Sequence, residues 1–218
     1  MNLAKPALDI GLYTNQLEPM LDFWQNQAHT SFTELLPVGG GVHQHRHAVG
    51  DSVIKINHPR EPIAQGQPTG LKKVTLYGQP NQTLSDPDGN LVELSPTSSD
   101  KNLRLTLATP NMDQMRAFYG ETLALPSQEQ NIFTVGNSEI ELIDGDLGTF
   151  ERSGIGYRYM TFQVFDVVTE HAHIISSGGQ EGMAPVRLGE VAYISFVQDP
   201  DQNWIEISQR KSITGSLD

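Results

Sequence analysis

Leu84-Ser85-Asp86-Pro87-Asp88-Gly89-Asn90-Leu91-Val92-Glu93-Leu94 and Val197-Gln198-Asp199-Pro200-Asp201-Gln202-Asn203-Trp204-Ile205-Glu206-Ile207 are two copies of one pattern. In each, Asp-Pro-Asp interrupts apolar alternation, and a glutamate follows seven residues after the first aspartate. Proline presets φ and glycine tolerates φ > 0, so the pattern predicts a tight turn joining two strands. Upstream of each hairpin the chain repeats again. Ala7–Thr14 alternates like a strand and precedes Leu17–Gln27, where Leu17, Met20, Leu21 and Trp24 have helical spacing. Leu103–Thr109 and Met112–Leu123 do the same, with Leu21-Asp22-Phe23-Trp24 corresponding to Arg116-Ala117-Phe118-Tyr119. Asn15/Glu18 and Asn111/Gln114 read as capping boxes opening the two helices.

The copies are unequal. The second half holds a further strand, Tyr157–Val164, and a third helix from Val167 to Ser177, opened by Asp166 and closed by Gly178-Gly179. In the first half Leu71–Tyr77 runs almost directly into Gln82–Ser85, with no room for a helix. The organisation expected is α+β: four tandem βαβββ modules forming curved half-barrel sheets with helices packed outside, the second module truncated. Polar Ser95–Asn102 separates residues 1–98 (one full and one truncated module) from residues 99–218 (two modules).

Strand, helix ending in Phe-Trp or Phe-Tyr, strands, then DPDG–x–x–x–E: from Ala7 to Ser208 the chain resembles the vicinal oxygen chelate superfamily of glyoxalases, bleomycin-resistance proteins and extradiol dioxygenases. The resemblance implies cups of β-sheet, and in metal-dependent members His and Glu ligands on the cup-facing strand positions. The matching glutamates here are Glu93 and Glu206, with Glu141 a second acidic position; the histidine positions hold Asp9, Lys73, Arg104 and Tyr159. Protonated lysine and arginine do not ligate.

Alternation assigns the faces. Leu8, Ile10 and Leu12 oppose Asp9, Gly11 and Tyr13, and Ile54 and Ile56 oppose Lys55 and Asn57, with the same logic in the other strands. Taking each half as one cup, Asp9, Lys55, Lys73 and Glu93 converge in the first and Arg104, Glu141, Tyr159 and Glu206 in the second. Charge-compensated pairs then replace the ligand set, and Lys55, Lys73 or Arg104 is a candidate for holding a ligand carboxylate. Trp204, Tyr157, Tyr159 and Tyr13 are candidate aromatic walls.

His43, His45 and His47 alternate on one strand and share one face, as a metal site on a single strand would require. A Val49-Gly50 turn puts them on the aliphatic face, and a Val49-Gly50-Asp51 loop puts them in the cup. His29, His171 and His173 read as surface residues. Pro59–Gly70 is either a cover for a cup or filler for the missing helix, and Gly39-Gly40-Gly41 is a flexible turn.

The formal net charge of −12 disfavours nucleic acid. No apolar run of about 18 residues predicts a membrane span. The absence of cysteine excludes thiolate chemistry, and an N-terminus without a signal core points to the cytoplasm. The expected function is binding of a small organic molecule in a cup with no cofactor, by a monomer or homodimer; an acidic surface suits cationic ligands. The alternative is a divalent-metal (Fe, Mn, Ni or Zn) lyase or extradiol-type dioxygenase with a non-standard His/carboxylate site.

Overall fold

The computed structural model describes residues 1–96, 100–149 and 151–217, and of Gln128 the backbone only. The expected division between residues 98 and 99 lies outside the described residues. The first module comprises β1 (Leu3–Tyr13), α1 (Leu17–Asp22), β2 (Ser31–Pro37), β3 (Val42–Val49) and β4 (Ser52–Pro59). The second holds only β5 (Leu71–Tyr77), β6 (Gln82–Ser85) and β7 (Leu91–Ser95). The third has β8 (Leu103–Thr109), α2 (Met112–Ala117), β9 (Ser127–Glu129), β10 (Ile132–Val135) and β11 (Ser138–Asp144). The fourth has β12 (Gly156–Val164), α3 (Val167–Ser176), β13 (Gln180–Leu188), β14 (Ala192–Gln198) and β15 (Trp204–Arg210), followed by the short α4 (Lys211–Thr214).

These strands make two sheets, of eight strands in the order β13-β14-β15-β12-β1-β4-β3-β2 and of seven in the order β6-β7-β5-β8-β11-β10-β9. Each is centred on an antiparallel pair of module-opening strands, β1 with β12 and β5 with β8. The closing strands lie parallel outside them, β4 on β1, β15 on β12, β7 on β5 and β11 on β8. The missing strand of the second module accounts for seven against eight. The expectation that each half of the sequence forms its own cup is therefore corrected: the first module pairs with the fourth, and the second with the third. Every module presents an equivalent opening strand to a neighbour, so local pattern does not choose the partner.

Helix entry is also corrected. Neither α1 nor α2 has a side-chain cap at its start. Asn15 Nδ2 instead donates to Ile63 O at 2.9 Å, and the hydroxyls of Thr14 and Thr109 accept from the amides of Gln16 and Asn111, both at 2.9 Å. α3 does carry its Asp166 cap, which accepts from Thr169 N at 3.0 Å. α1 and α2 each widen into a π-helical turn, Phe23–Gln27 and Phe118–Thr122. Consecutive residues of an α-helix are about 100° apart; the wider turn brings both rings of each aromatic pair toward the core, and Phe23, Trp24, Phe118 and Tyr119 are all buried. Both turns end alike, with a left-handed residue, His29 at φ 56° and Ala124 at φ 51°.

The two Asp-Pro-Asp turns are the same object twice. Asp86 Oδ1 accepts from the amides of Asp88 at 3.0 Å and Asn90 at 2.8 Å; Asp199 Oδ1 accepts from those of Asp201 at 3.0 Å and Asn203 at 2.9 Å. Asp199 Oδ2 also accepts from Tyr119 OH at 2.9 Å, tying the fourth module's hairpin to the third module's aromatic pair. One apolar core runs through the molecule, with Leu8, Ile10, Ile54, Val74, Leu105 and Met160 all fully buried. No helix among the described residues is long and apolar enough to cross a membrane.

Candidate ligand-binding site

The eight-stranded sheet curves around a cavity of about 680 Å3. Alternation puts Leu8, Ile10, Leu12, Ile54 and Ile56 into the core, so Asp9, Lys55 and Asn57 face the other way, and Tyr159, Thr161 and Glu206 join them from β12 and β15. At the floor Lys55 Nζ donates to Glu206 Oε2 and to Thr161 Oγ1, each at 2.7 Å, and Thr161 Oγ1 lies 2.7 Å from the same carboxylate oxygen. Burial lowers the pKa of Lys55, against the opposing charges of Glu206 and Asp9. Asp9 is fully buried, accepts from Val53 N at 2.9 Å and is paired with Lys5.

Beside this knot is a neutral network. Tyr159 OH accepts from Asn57 Nδ2 at 3.1 Å and Gln44 Nε2 at 3.4 Å, and Asn57 Nδ2 also reaches Leu12 O at 2.9 Å. Burial raises the Tyr159 phenol well above its ordinary pKa, reinforced by the Glu206 charge. The ring fits because Gly11 faces it: a Cβ there would sit 2.1 Å from a Tyr159 ring carbon. Arg46 donates to Gln44 Oε1 at 2.9 Å and pairs with Glu34, also at 2.9 Å; Arg210 reaches the same Glu34 oxygen at 3.2 Å. The upper walls are apolar, from Leu36 and Val38 on one edge of the sheet to Leu188 and Val191 on the other.

The seven-stranded sheet encloses only about 290 Å3, lined by Lys73, Thr75, Tyr77, Glu93, Ser95, Arg104, Glu139 and Glu141. Its charges are spent on one another: Lys73 pairs with Glu93, and Arg104 reaches Glu139 at 2.9 Å and Glu141 at 3.4 Å. Thr106 donates to Glu141 at 2.9 Å, and the Arg104 guanidinium lies 5.8 Å from the Tyr77 ring centre.

The nine residues expected to line the cups are thus redistributed. Asp9, Lys55, Tyr159 and Glu206 form one group, and Lys73, Glu93, Arg104 and Glu141 the other. Trp204 packs beside the larger cavity, its ring 5.9 Å from Phe196 and against Gly182. Tyr13 and Tyr159 are walls, but Tyr157 is a core residue whose hydroxyl donates to Leu91 O at 3.2 Å. Gln44, Arg46, Thr161, Arg152 and Glu139 were not anticipated. The alternation of Gln44 and Arg46 with the histidines was the available signal.

That alternation turns on a two-residue hairpin not anticipated in either register. Gly50-Asp51 forms the turn, with Gly50 at φ 56°, so Val49 pairs with Ser52 and His45 with Ile56. His43, His45 and His47 therefore share the aliphatic face, away from the cup, and Gln44 and Arg46 enter it. His47 is fully buried, and burial lowers its pKa to about 4. The proposed His43/His45/His47 metal site is corrected accordingly: among the described residues no three His, Asp or Glu side chains are grouped to hold an ion. His171, expected at the surface, is buried on α3 with Nε2 3.1 Å from Glu181.

The donor sets do not suit a divalent cation either. The carboxylate on β15 is occupied by the Lys55 amine, and those on β11 are held by the Arg104 guanidinium. A cation at either place would displace a basic group and then stand beside it.

Paired βαβββ modules, closed into two cups by one chain, define the class. Residues 103–207 match the Glyoxalase/Bleomycin resistance protein/Dioxygenase superfamily. Over the rest of the chain the likeness is one of fold. Glyoxalase I from Zea mays is similar with a TM-score of 0.77 and 12% identity, over 95% of this chain and 92% of that one. A mutant of the maize enzyme gives 0.74 and 11%, over 100% and 96%. The cppA protein from Streptococcus pneumoniae gives 0.57 and 9%, over 96% and 100%. At such identities the likeness carries fold alone. No curated protein matches. Residues 103–207 thus carry the sequence pattern of that superfamily, and the whole chain shares the fold of glyoxalase I.

Proposed function

We propose that this chain binds a small organic molecule in the cup made by its first and fourth modules, in the cytoplasm and with no resident metal ion. The observation that carries the reading is the contrast between the cups. The larger, at about 680 Å3, combines apolar walls with a few fixed polar groups, as sites for drug-sized ligands of about 300–1,000 Å3 do. The smaller, at about 290 Å3, is bounded by ion pairs that already satisfy each other. Lys55 at the floor of the larger cup supports the metal-free form, because its amine engages the carboxylate an ion would need. A monomer suffices for binding, since each cup is completed within one chain.

A thermal-shift screen of aromatic and aliphatic metabolites tests this. A ligand at a hundredfold excess over its Kd adds about 2.7 kcal/mol of stability, and Ile194→Trp, which fills the cup, should abolish that gain. Stabilisation that survives Ile194→Trp would place binding elsewhere. Mass spectrometry of protein purified without chelators should find no stoichiometric Fe, Mn, Ni or Zn; one equivalent of any would overturn the metal-free part.

A further inference from the structure

We infer that the ligand of the larger cup is an organic anion, a carboxylate or comparable oxyanion on an apolar body, with Arg152 as its charge-recognising residue. The inference rests on the cup being the binding site and goes further in assigning the class of molecule. It reverses the expectation from net charge, which pointed to cations.

The chain carries −12 overall, yet the charged residues on the cavity wall are Arg46, Lys55, Arg152 and Arg210 against the single carboxylate Glu206. Counting the carboxylates just outside the wall, Glu34, which pairs with both Arg46 and Arg210, and Asp9, which pairs with Lys5, the balance is still five basic groups to three acidic ones. A recess of one sign in a low-dielectric wall focuses its field, so the cup attracts what the rest of the surface repels.

Arg152 differs from the other three basic groups. Lys55 is held by Glu206, and Arg46 and Arg210 by Glu34. Arg152 makes no ion pair among the described residues. Its guanidinium instead lies 4.5 Å from the centre of the Phe196 ring and 5.2 Å from that of Trp204. A cation–π contact engages the charge of a guanidinium without an acceptor for its N–H donors, the part that grips a carboxylate in a two-point contact. The two rings hold the group in place without neutralising it, and so lower the entropy lost when an anion arrives.

Position completes the argument. Arg152 lines both the cup and a neighbouring recess of about 620 Å3 bounded by Gly40, Gly41 and Pro59–Ile63, and it stands where the two meet. An anion gripped there would leave its body to enter the cup, against Leu36, Met183, Val191, Ile194 and Phe196. Arg158 keeps this rim in place: fully buried, it donates to the carbonyls of Gln65 at 3.3 Å, Gln67 at 2.9 Å and Gly154 at 2.9 Å, pinning the segments on both sides of the outer recess.

The test is isothermal titration of the full chain with three probes of one shape and different charge: 3-phenylpropanoate, 3-phenylpropanamide and 3-phenylpropylammonium. The acid should bind about tenfold tighter than the amide, the worth of one charge-assisted contact, and the amine weakest. Arg152→Gln should bring the acid down to the amide's affinity and leave the amide within about twofold. Arg116→Gln, on the outer helix α2, should change neither. Equal or tighter binding of the amine, or an acid preference that survives Arg152→Gln, would overturn the inference and leave the cup reading intact. Binding by none of the three also overturns it, and takes the cup reading with it only if no compound of the thermal-shift screen binds either.

Discussion

Two side chains show how far residue identity is governed by the side of the sheet on which it falls. Lys55 and Ile54 are adjacent on β4, yet one anchors a polar knot and the other belongs to the core. On β3 the same rule sends Arg46 into the cup and His47 into the core. There His47 packs against Phe32, with ring centres 5.7 Å apart, opposite Ile54. A histidine kept neutral by burial makes stability depend on pH. Its folded pKa of about 4 lies below the unfolded 6.5, so its contribution is complete above pH 6.5 and is lost as pH falls toward 4. Between pH 7.5 and pH 4.5 the loss due to this residue is about 2.5 kcal/mol. His47→Leu, which keeps the volume and removes the titration, should flatten the pH dependence of the unfolding free energy by that amount. Equal slopes for the variant and the parent would show that His47 does not charge on unfolding.

At the scale of elements, the duplicated hairpins and helix exits make a comparison inside one chain. Gly89 and Gln202 hold the same place in the two Asp-Pro-Asp turns, at φ 84° and φ 62°. A left-handed residue with a Cβ costs about 1–2 kcal/mol, and glycine returns about 0.4–1 kcal/mol of that to the unfolded chain as entropy. Gln202→Gly should therefore gain about 0.5–1 kcal/mol, and Ala124→Gly at the end of the second π-turn should gain about the same; denaturant titration gives the sign directly. A loss at Gln202 would mean that its side chain contributes more than the turn costs. These elements were legible in the sequence because turn chemistry and alternation are local. The capping boxes failed because both asparagines turn to partners far along the chain, Asn15 Nδ2 to Ile63 O and Asn111 Nδ2 to Asp201 Oδ1. The histidine register failed by two residues: a β-branched Val49 was placed in a turn that Gly50 and Asp51 make alone.

For the whole molecule, the parity of every cup residue was readable but its companions were not. Asp9 was expected beside Lys73 and stands instead beside Thr161, because β1 pairs with β12 and β5 with β8. Pairing between strands more than a hundred residues apart is decided by which open edges meet, and four similar modules offer several solutions to the same local pattern. The pairing adopted makes the two halves of the chain interdependent. A fragment of residues 1–98 would keep β1 and β5 but lose the antiparallel neighbour of each, leaving two unpaired edges and the apolar faces around Leu8, Ile10 and Val74 open to water. Residues 99–218 would expose β8 and β12 in the same way. Neither fragment should unfold cooperatively alone, by circular dichroism against denaturant, whereas the two produced together should form one complex that does. A monomeric half with its own cooperative transition would mean that a pair of consecutive modules closes a sheet by itself, and the exchange of partners seen across the chain would then be one arrangement of these modules among others rather than the one their cores require.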